Sequence, residues 1–203
     1  MTSHEELIDD LMKSGVLKTP AIIHAFRNID RALFVPAAYR NAAYADAAVP
    51  IGFGATISQP YTVAFMLELL QPMRGHRVLD IGSGSGWTTA LLSRIVRDDG
   101  FVLGIERVQE LVEQARTRLE TLRMTNARVQ HASIELGAPT EGPFDRILVS
   151  AAASELPQEL ALQLKDGGVC VLPIQSAIAR VVKRGDDLVI QESHDGFAFV
   201  PLV

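Results

Sequence analysis

Along the first 70 residues, apolar side chains recur every three or four positions, which is the spacing of one helix face. Ser3 and Glu6 form a capping-box pattern, and Thr19-Pro20 has the composition of a helix start. The pattern predicts three helices, with further short elements between the second and the third. They are a helix from Ser3 to Met12, a helix from Thr19-Pro20, a helical piece at residues 37–43, a loop at 50–56, and a helix from Pro60 with Val63, Met66, Leu67 and Leu70 on one face.

From residue 77 onward, short apolar runs alternate with amphipathic segments, which is typical of repeated βα units. Such units predict an α/β fold with a doubly wound, mostly parallel sheet, preceded here by an N-terminal helical extension. Ligands of such sheets bind beyond the carboxyl ends of the strands. The predicted strands are residues 77–81, 101–105, 127–130, 144–149, 169–173, 179–184, 188–192 and 197–201, and the predicted helices are 88–96, 108–122 and 156–164, the last closed by Gly167-Gly168.

A glycine-rich turn follows the first of these strands and carries the strongest chemical signal in the chain. Gly82, Gly84 and Gly86 remove three side chains at the turn, so a ligand can approach the backbone and positive φ values cost little. Glu106 ends the next strand, twenty residues after Gly86, where nucleotide-binding α/β units place the carboxylate that holds the ribose. Together they predict a nucleoside-cofactor site, although the glycines alone would also suit a tight turn without a ligand.

The turn does not fit a dinucleotide cofactor. The dinucleotide fingerprint has glycine at its first, third and sixth positions, and here these positions hold Gly82, Gly84 and Trp87. A tryptophan where the helix must approach the strand closely argues against NAD and FAD. The pattern Asp-x-Gly-x-Gly-x-Gly resembles instead the first motif of class I S-adenosylmethionine-dependent methyltransferases. In that interpretation Asp80 faces the cationic half of the cofactor and Glu106 faces its ribose.

Composition narrows the function classes. A chain of 203 residues, 48% hydrophobic and 21% charged, suits a single globular domain. We divide it into an N-terminal helical region with a substrate-side loop (1–56) and a cofactor-binding α/β core (57–203). No apolar run reaches the roughly 18 residues of a membrane span, and the polar N-terminus does not resemble a signal peptide. We therefore expect a cytoplasmic protein that does not bind membranes.

Charge and metal-ligating residues exclude two further classes. The net charge is −5 and the basic residues are dispersed, which disfavours tight binding of nucleic acid. The five histidines show no metal-ligand spacing, so no metal site is expected. The single cysteine, Cys170, lies in an apolar run and is expected to be a buried core thiol rather than a nucleophile.

The segment Pro50–Tyr61, PIGFGATISQPY, closely resembles the signature of the protein-L-isoaspartate (D-aspartate) O-methyltransferase family. The resemblance implies a Rossmann-like methyltransferase fold, with S-adenosyl-L-methionine as cofactor and S-adenosyl-L-homocysteine as product. It also implies methylation of the α-carboxylate of L-isoaspartyl and D-aspartyl residues in damaged proteins, which initiates their repair. Further segments that match the family are residues 33–36, 43–44, 143–147, 151–153, 164–168 and 199–202.

The same resemblance assigns site residues. Ser58 is expected to be the active-site residue, between the cofactor and the substrate carboxylate, although it would also suit the cap of the helix that Pro60 opens. The implied partners are isoaspartate-containing proteins or peptides, and a monomer is favoured. The expected substrate-binding residues are Thr56, Ser58, Gln59, Ala151 and Ala152. The expected cofactor-binding residues are Thr56, Ile57, Ser58, Asp80, Gly82, Ser83, Gly84, Ser85, Gly86, Glu106, Arg107, Ser133 and Ile134.

The chain departs from the family pattern at three places. Ser133-Ile134 stands where the family has Asp-Gly beside the adenine, the loop at 174–178 is shortened, and Val63 replaces a histidine of some members. Loss of a charged acceptor would weaken cofactor binding by about 1–3 kcal/mol. Two alternatives therefore stay open: a related methyltransferase with another carboxylate or small-molecule acceptor, and a degenerate relative that binds the cofactor with little activity.

Overall fold

The computed structural model describes residues 3–202. Residues 1, 2 and 203, which our single-domain prediction includes, lie outside this range. The α-helices are α1 (His4–Lys13), α2 (Pro20–Asn28), α3 (Pro60–Leu70), α4 (Trp87–Val96) and α5 (Gln109–Thr121). The strands are β1 (Val49–Gly52), β2 (Ala55–Ile57), β3 (Arg77–Ile81), β4 (Phe101–Glu106), β5 (Ala127–His131), β6 (Phe144–Val149), β7 (Leu164–Ile174), β8 (Ala177–Arg184) and β9 (Asp187–Asp195). Short 3₁₀ segments cover Arg31–Leu33, Ala37–Ala42, Pro139–Glu141 and Gln158–Gln163.

One seven-stranded sheet organises the chain, with the strand order β5-β4-β3-β6-β7-β8-β9. The pairs from β5 across to β7 are parallel, and β8 and β9 are added antiparallel. The strand order reverses at β3, because β4 and β5 lie on one side of it and β6 lies on the other. Open α/β sheets bind ligands at such a reversal. The predicted doubly wound, mostly parallel sheet is confirmed.

Both faces of the sheet are buried at β3, as the nearly continuous apolar composition of this strand predicts. Along β3, Val78 belongs to the hydrophobic cluster that packs beneath the helices, whereas Leu79 and Ile81 belong to a second cluster on the opposite face. The second cluster contains Cys170, whose thiol has a raised pKa because it is fully buried. The buried-thiol prediction is confirmed.

The helical N-terminal region packs onto the α/β core. The capping box of α1 is confirmed, since the N–H of Glu6 donates to Ser3 Oγ at 3.2 Å and the N–H of Ser3 donates to Glu6 Oε2 at 2.7 Å. Thr19 occupies the N-cap position of α2, but its side chain makes no capping bond there. It donates instead to Glu68 Oε2 of α3 at 2.6 Å, which ties α2 to α3. No helix within residues 3–202 is long and apolar enough to span a membrane.

The prediction of a loop at residues 50–56 is wrong, because β1 and β2 form an antiparallel hairpin there. Phe53 and Gly54 make its two-residue turn, with φ values of 55° and 74°. Positive φ at both positions is the type I′ geometry that matches the twist of paired strands. Val49 and Ile51 face the core from β1, and this alternation is too short to identify a strand from sequence.

The predicted helical segment at 156–164 is present only as a shorter 3₁₀ helix, and the prediction that Gly167-Gly168 close it is wrong. A 3₁₀ segment, Gln158–Gln163, leads directly into β7. Phe144 pairs with Leu164 while Arg146 pairs with Val169, so residues 165–168 bulge out of the strand. Gly167 has a φ of 72° within this bulge, and positive φ is the role of glycine at many bulges. The glycines therefore serve a strand irregularity rather than a helix end.

The predicted last strand at 197–201 is wrong as well. Pro201 forms only an isolated bridge with Ala152. The N–H of Ala152 donates to the carbonyl of Val200, and the N–H of Leu202 donates to the carbonyl of Ala152, both at 2.8 Å. This pairing at a single position leaves the segment just beyond the carboxyl end of β6, where it does not form a strand of the sheet. The predicted elements at 77–81, 88–96, 101–105, 108–122, 127–130 and 144–149 are confirmed to within one residue at each end.

Candidate active site

The loops that follow β3 and β6 separate at the reversal of strand order and open a cavity of about 1010 Å³. The turn of the β1–β2 hairpin and Ser58 form one wall, and the glycine loop after β3 forms another. The carboxyl ends of β4, β5 and β6 and the segment 200–202 complete it. Ligand pockets usually measure about 300–1,000 Å³, so this cavity has room for a cofactor together with part of a second molecule.

The glycine loop is held against the end of β4. The N–H groups of Gly82 and Ser83 both donate to the carbonyl of Ile105, at 2.9 and 3.0 Å. Gly82, Gly84 and Gly86 have φ values of 79°, 51° and 88°, a region that strains other residues. A Cβ on Gly86 would come within 3.0 Å of the Ala115 Cβ. The third glycine therefore permits close packing of the loop on α5 rather than contact with a ligand.

Glu106 joins this loop to the start of α5. Its Oε2 accepts from the N–H of Gly84 at 2.8 Å, and its Oε1 accepts from the N–H groups of Arg107 and Val108 at 2.7 and 3.0 Å. The residue is half-buried and lines the cavity. An ionised carboxylate has about four acceptor positions. Three are used by these bonds, so Glu106 can accept about one further hydrogen bond from a ligand while it holds the loop.

Asp80 lies beneath the loop rather than in the cavity wall. Its side chain is fully buried, and Oδ2 accepts from Thr88 Oγ1 at 2.7 Å and Thr89 Oγ1 at 2.6 Å. Oδ1 has no hydrogen-bond partner within the described residues. Burial raises the pKa of Asp80 to about 6; the two threonine hydrogen bonds act against that rise, and the negative charge of Glu106 adds to it.

Ser58 lies between β2 and α3 and lines the cavity. The alternative that Ser58 caps α3 is wrong, because the N-cap residue is Gln59. The Gln59 side chain makes no capping hydrogen bond to the helix. Asp46 satisfies the helix start instead: its Oδ1 accepts from the N–H of Tyr61 at 2.8 Å, and its Oδ2 accepts from Gln59 Nε2 at 3.1 Å. The Ser58 hydroxyl is therefore not used by the helix.

The structure brings most of the predicted site residues to this one cavity. Those that line it are Thr56, Ile57, Ser58, Gly82, Ser83, Gly84, Ser85, Glu106, Arg107, Ser133, Ile134 and Ala151. Asp80, Gly86, Gln59 and Ala152 are absent from the lining. Ala152 is engaged by the bridge to residues 200–202. Ser133 donates to the carbonyl of Glu135 at 3.1 Å, and the side chain of Ile134 is fully exposed.

Several lining residues were missed by the sequence analysis. Phe53 and Gly54 reach the cavity from the hairpin turn, and residues 200–202 reach it through their bridge to Ala152. The hairpin turn could have been inferred, because Gly52 and Gly54 directly precede the Ala55–Ser58 segment that carries the predicted site residues. Nothing local to residues 200–202 signals their position, because it depends on a contact with a strand end some 50 residues earlier.

The raised pKa of Asp80 generates a stability prediction. The folded protein holds the Asp80 proton up to about pH 6, whereas the reference value is 3.8, so raising the pH between these values favours unfolding. Asp80→Asn removes the cost of ionising a buried carboxyl group, so its stability does not fall with pH in this way. The free energy of unfolding of the variant minus that of the parent should therefore be up to about 3 kcal/mol larger at pH 7.5 than at pH 4. Urea denaturation at both pH values measures the difference, with the exposed Asp186→Asn as control. A difference from the parent that is the same at both pH values would contradict this account.

Comparison with known proteins shows that this chain is similar to one family along nearly its whole length. The family model described as "Protein-L-isoaspartate(D-aspartate) O-methyltransferase (PCMT)" matches residues 2–203. Proteins named protein-L-isoaspartate O-methyltransferase include one from Ignicoccus hospitalis, 39% identical over 98% of this chain and 96% of its own. Another, from Vibrio parahaemolyticus, is 42% identical over 98% of this chain and 95% of its own.

A solved structure gives the same result. The crystal structure of a Plasmodium falciparum protein, described as a protein-L-isoaspartate O-methyltransferase and solved in complex with S-adenosyl-L-homocysteine, superposes with a TM-score of 0.88. The match has 26% sequence identity and covers 100% of this chain and 99% of that one. With the family model covering nearly every residue and relatives matching along their whole length, the chain belongs to the protein-L-isoaspartate (D-aspartate) O-methyltransferase family.

Proposed function

We propose that this protein transfers a methyl group from S-adenosyl-L-methionine to the α-carboxylate of L-isoaspartyl and D-aspartyl residues in damaged proteins. The observation that carries the proposal is that one cavity has two walls of different kinds. The segment around Ser58, which carries the family signature, faces the glycine loop and Glu106, which suit a nucleoside. A donor and an acceptor bound at these two walls would meet inside the same cavity.

The residues present fit the cofactor. Gly82 and Gly84 present no side chain to the cavity, and Glu106 offers a remaining acceptor position suited to a ribose hydroxyl. The Ser83 hydroxyl is buried without a hydrogen-bond partner in the described part of the chain, and buried polar groups of this kind usually await a ligand or water. We propose that Asp80 acts from below the loop, through its negative charge toward the cationic half of the cofactor.

Methyl transfer to a carboxylate requires alignment of the acceptor oxygen with the methyl group, and it requires no general base. S-adenosyl-L-methionine supplies an electrophilic methyl group when it is bound. The acceptor carboxylate has a pKa of about 4 and is already ionised at pH 7, so no proton has to be removed. The residues around Ser58 would orient the acceptor oxygen, and the substrate and cofactor together would displace water from it. A neutral hydroxyl suits this task, since a fixed cation would stabilise the ionised acceptor more than the transition state.

The expected substrate-binding residues fall into two groups, those that line the cavity and those that lie behind it. We propose that Thr56, Ser58 and Ala151 contact the substrate, because all three line the cavity. Gln59 and Ala152 would act indirectly, Gln59 through Asp46 at the start of α3 and Ala152 through residues 200–202. We further propose that residues 1–203 work as one domain in the cytoplasm, as a monomer that acts on proteins and peptides and not on nucleic acid.

A paired-peptide assay tests the function. The protein is incubated with S-adenosyl-L-methionine carrying a labelled methyl group and with either an isoaspartyl peptide or its aspartyl twin. We expect label only on the isoaspartyl peptide, released as methanol in base. Binding of S-adenosyl-L-homocysteine without label on either peptide would instead support another acceptor or a degenerate relative that keeps the cofactor. Absence of binding would reject the cofactor site itself.

Ser58→Ala should lower kcat for the isoaspartyl peptide, because the variant loses the hydroxyl that orients the acceptor oxygen. Loss of one orienting group of this kind typically costs about 10²-fold or less. The affinity for S-adenosyl-L-homocysteine, measured by calorimetry, should stay within a few-fold of the parent. A collapse of that affinity would mean that Ser58 belongs to the cofactor site or to the fold, and not to the acceptor site.

Glu106→Ala should weaken the binding of S-adenosyl-L-homocysteine by about 1–3 kcal/mol, since a charged acceptor for the ribose and a tether of the glycine loop are both lost. Calorimetry measures the affinity. Glu110→Ala, a change of the same kind at an exposed position of α5, is the matched control and should bind like the parent. Equal affinities for the Glu106 variant and the parent would remove Glu106 from the ribose site.

A further inference from the structure

Arg31 is a buried cation with an unusual set of partners. Its side chain is 1% exposed, although it lies in a surface 3₁₀ segment of three residues. Among residues 3–202 the guanidinium donates only to backbone carbonyls, and its Nε–H has no partner. These are the carbonyls of Ala43 at 2.7 Å and Ala45 at 3.4 Å from Nη1, and those of Ala47 at 2.9 Å, Ile57 at 3.5 Å and Ser58 at 3.1 Å from Nη2.

Burial of the Arg31 charge costs free energy, which argues that the side chain does more than fill space in the core. A buried charge is expensive unless it is well paired, and loss of hydration lowers the pKa of Arg31 to about 10, partly offset by the negative charge of Asp46. The group nevertheless stays protonated at pH 7. Neutral carbonyls compensate it through their number and geometry, which a planar guanidinium can satisfy from several directions at once.

The partners of Arg31 belong to three parts of the candidate site. The carbonyls of residues 43–47 come from the segment that also supplies Asp46, the residue that caps α3. The carbonyls of Ile57 and Ser58 come from the wall that carries the acceptor site. The Arg31 guanidinium carbon also lies 5.3 Å from the centre of the Trp87 ring, and Trp87 directly follows the glycine loop.

We propose that Arg31 is a positioning residue, which fixes Ser58 relative to the glycine loop by joining the Ser58 carbonyl to the face of Trp87. This inference rests on the proposed function, because it assigns Ser58 its place at the acceptor. Arg31 is absent from the cavity lining. Its charge is directed at backbone carbonyls behind Ser58, so it sets the position of the hydroxyl without placing a cation in the cavity.

Arg31→Lys tests the proposal, since lysine keeps the charge but not the fork or the flat face. We expect kcat for the isoaspartyl peptide to fall about 10²-fold, the loss typical of a misplacement of about 1 Å. The affinity for S-adenosyl-L-homocysteine should stay within about threefold, because the bonds of Glu106 and Ile105 to the loop are untouched. Far-UV circular dichroism and urea denaturation report whether the variant keeps the fold. The emission of Trp87 would change in any case, because its ring loses the Arg31 guanidinium.

Arg146→Lys is the matched control. The Arg146 guanidinium is half-buried and also donates to backbone carbonyls, those of Leu70 and Asp145, both at 2.8 Å. It lies near the amino end of β6, away from the cavity. We expect this variant to lose stability in urea while its kcat stays within about twofold of the parent. An equal fall of kcat in both variants would overturn the proposal, since it would reflect stability alone.

A double-mutant cycle with Ser58→Ala shows whether Arg31 acts through Ser58. If it does, Arg31→Lys should lower kcat by less than about threefold in the Ser58→Ala background, because coupled residues are not additive. The full loss in that background would overturn the proposal. Failure of the parent protein to label the isoaspartyl peptide is a different outcome, which rejects the proposed function before any variant is compared.

Tyr44→Phe decides the question if Arg31→Lys does not fold. The Tyr44 hydroxyl donates to Asp30 at 3.0 Å and so ties the segment that bears the carbonyls to the residue before Arg31. Loosening this segment should lower kcat several-fold with cofactor affinity unchanged, and again only when Ser58 is present. A Tyr44→Phe variant with the kcat of the parent would overturn the proposal.

Discussion

Parallel pairing of β3 with β4 on one side and β6 on the other is the constraint on which the site depends. Because parallel strands end at the same edge of a sheet, the turn after β3, the acid at the end of β4 and the small residues after β6 must all meet there. The two hydrogen bonds from the glycine loop to the Ile105 carbonyl then fix the loop on its neighbour. The seven-stranded sheet thus determines where a ligand can bind before any side chain is chosen.

The N-terminal region supplies the second half of the cavity, and it does so through polar contacts rather than through a sheet. Asp46 caps α3, Arg31 gathers the carbonyls on either side of the hairpin, and Glu68 fastens α2 to α3. All of these residues lie outside the cavity lining. The acceptor wall is therefore held by polar groups of different burial: Arg31 is buried, Glu68 is half-buried and Asp46 is exposed. The buried guanidinium is the one most expensive to leave unpaired.

Local signals allowed much of this to be predicted from the sequence. The capping box of α1, the apolar face of α3 and the strand–glycine–helix transition at β3 each depend on residues a few positions apart, and the structure confirms them. Glu106 could be placed at the cavity because its distance along the chain from the glycines follows from one βα unit.

Other features depend on contacts between distant residues and could not be predicted. The β1–β2 hairpin is too short for its alternation to stand out, and the bulge before Val169 follows from the register of β7 against β6. The cap of α3 comes from Asp46, fifteen residues from the N–H of Tyr61 that it accepts. Arg31 looks like an ordinary exposed basic residue in the sequence, because only the folded chain surrounds it with carbonyls.

The environment of Cys170 has a consequence for a protein of this family. Oxidants and alkylating reagents attack the thiolate, and a fully enclosed sulfur with a raised pKa forms very little of it. The chain has no other cysteine, so the folded protein offers no reactive thiol to these reagents. Such an enzyme can work among aged and oxidised polypeptides without its own cysteine becoming one of the lesions.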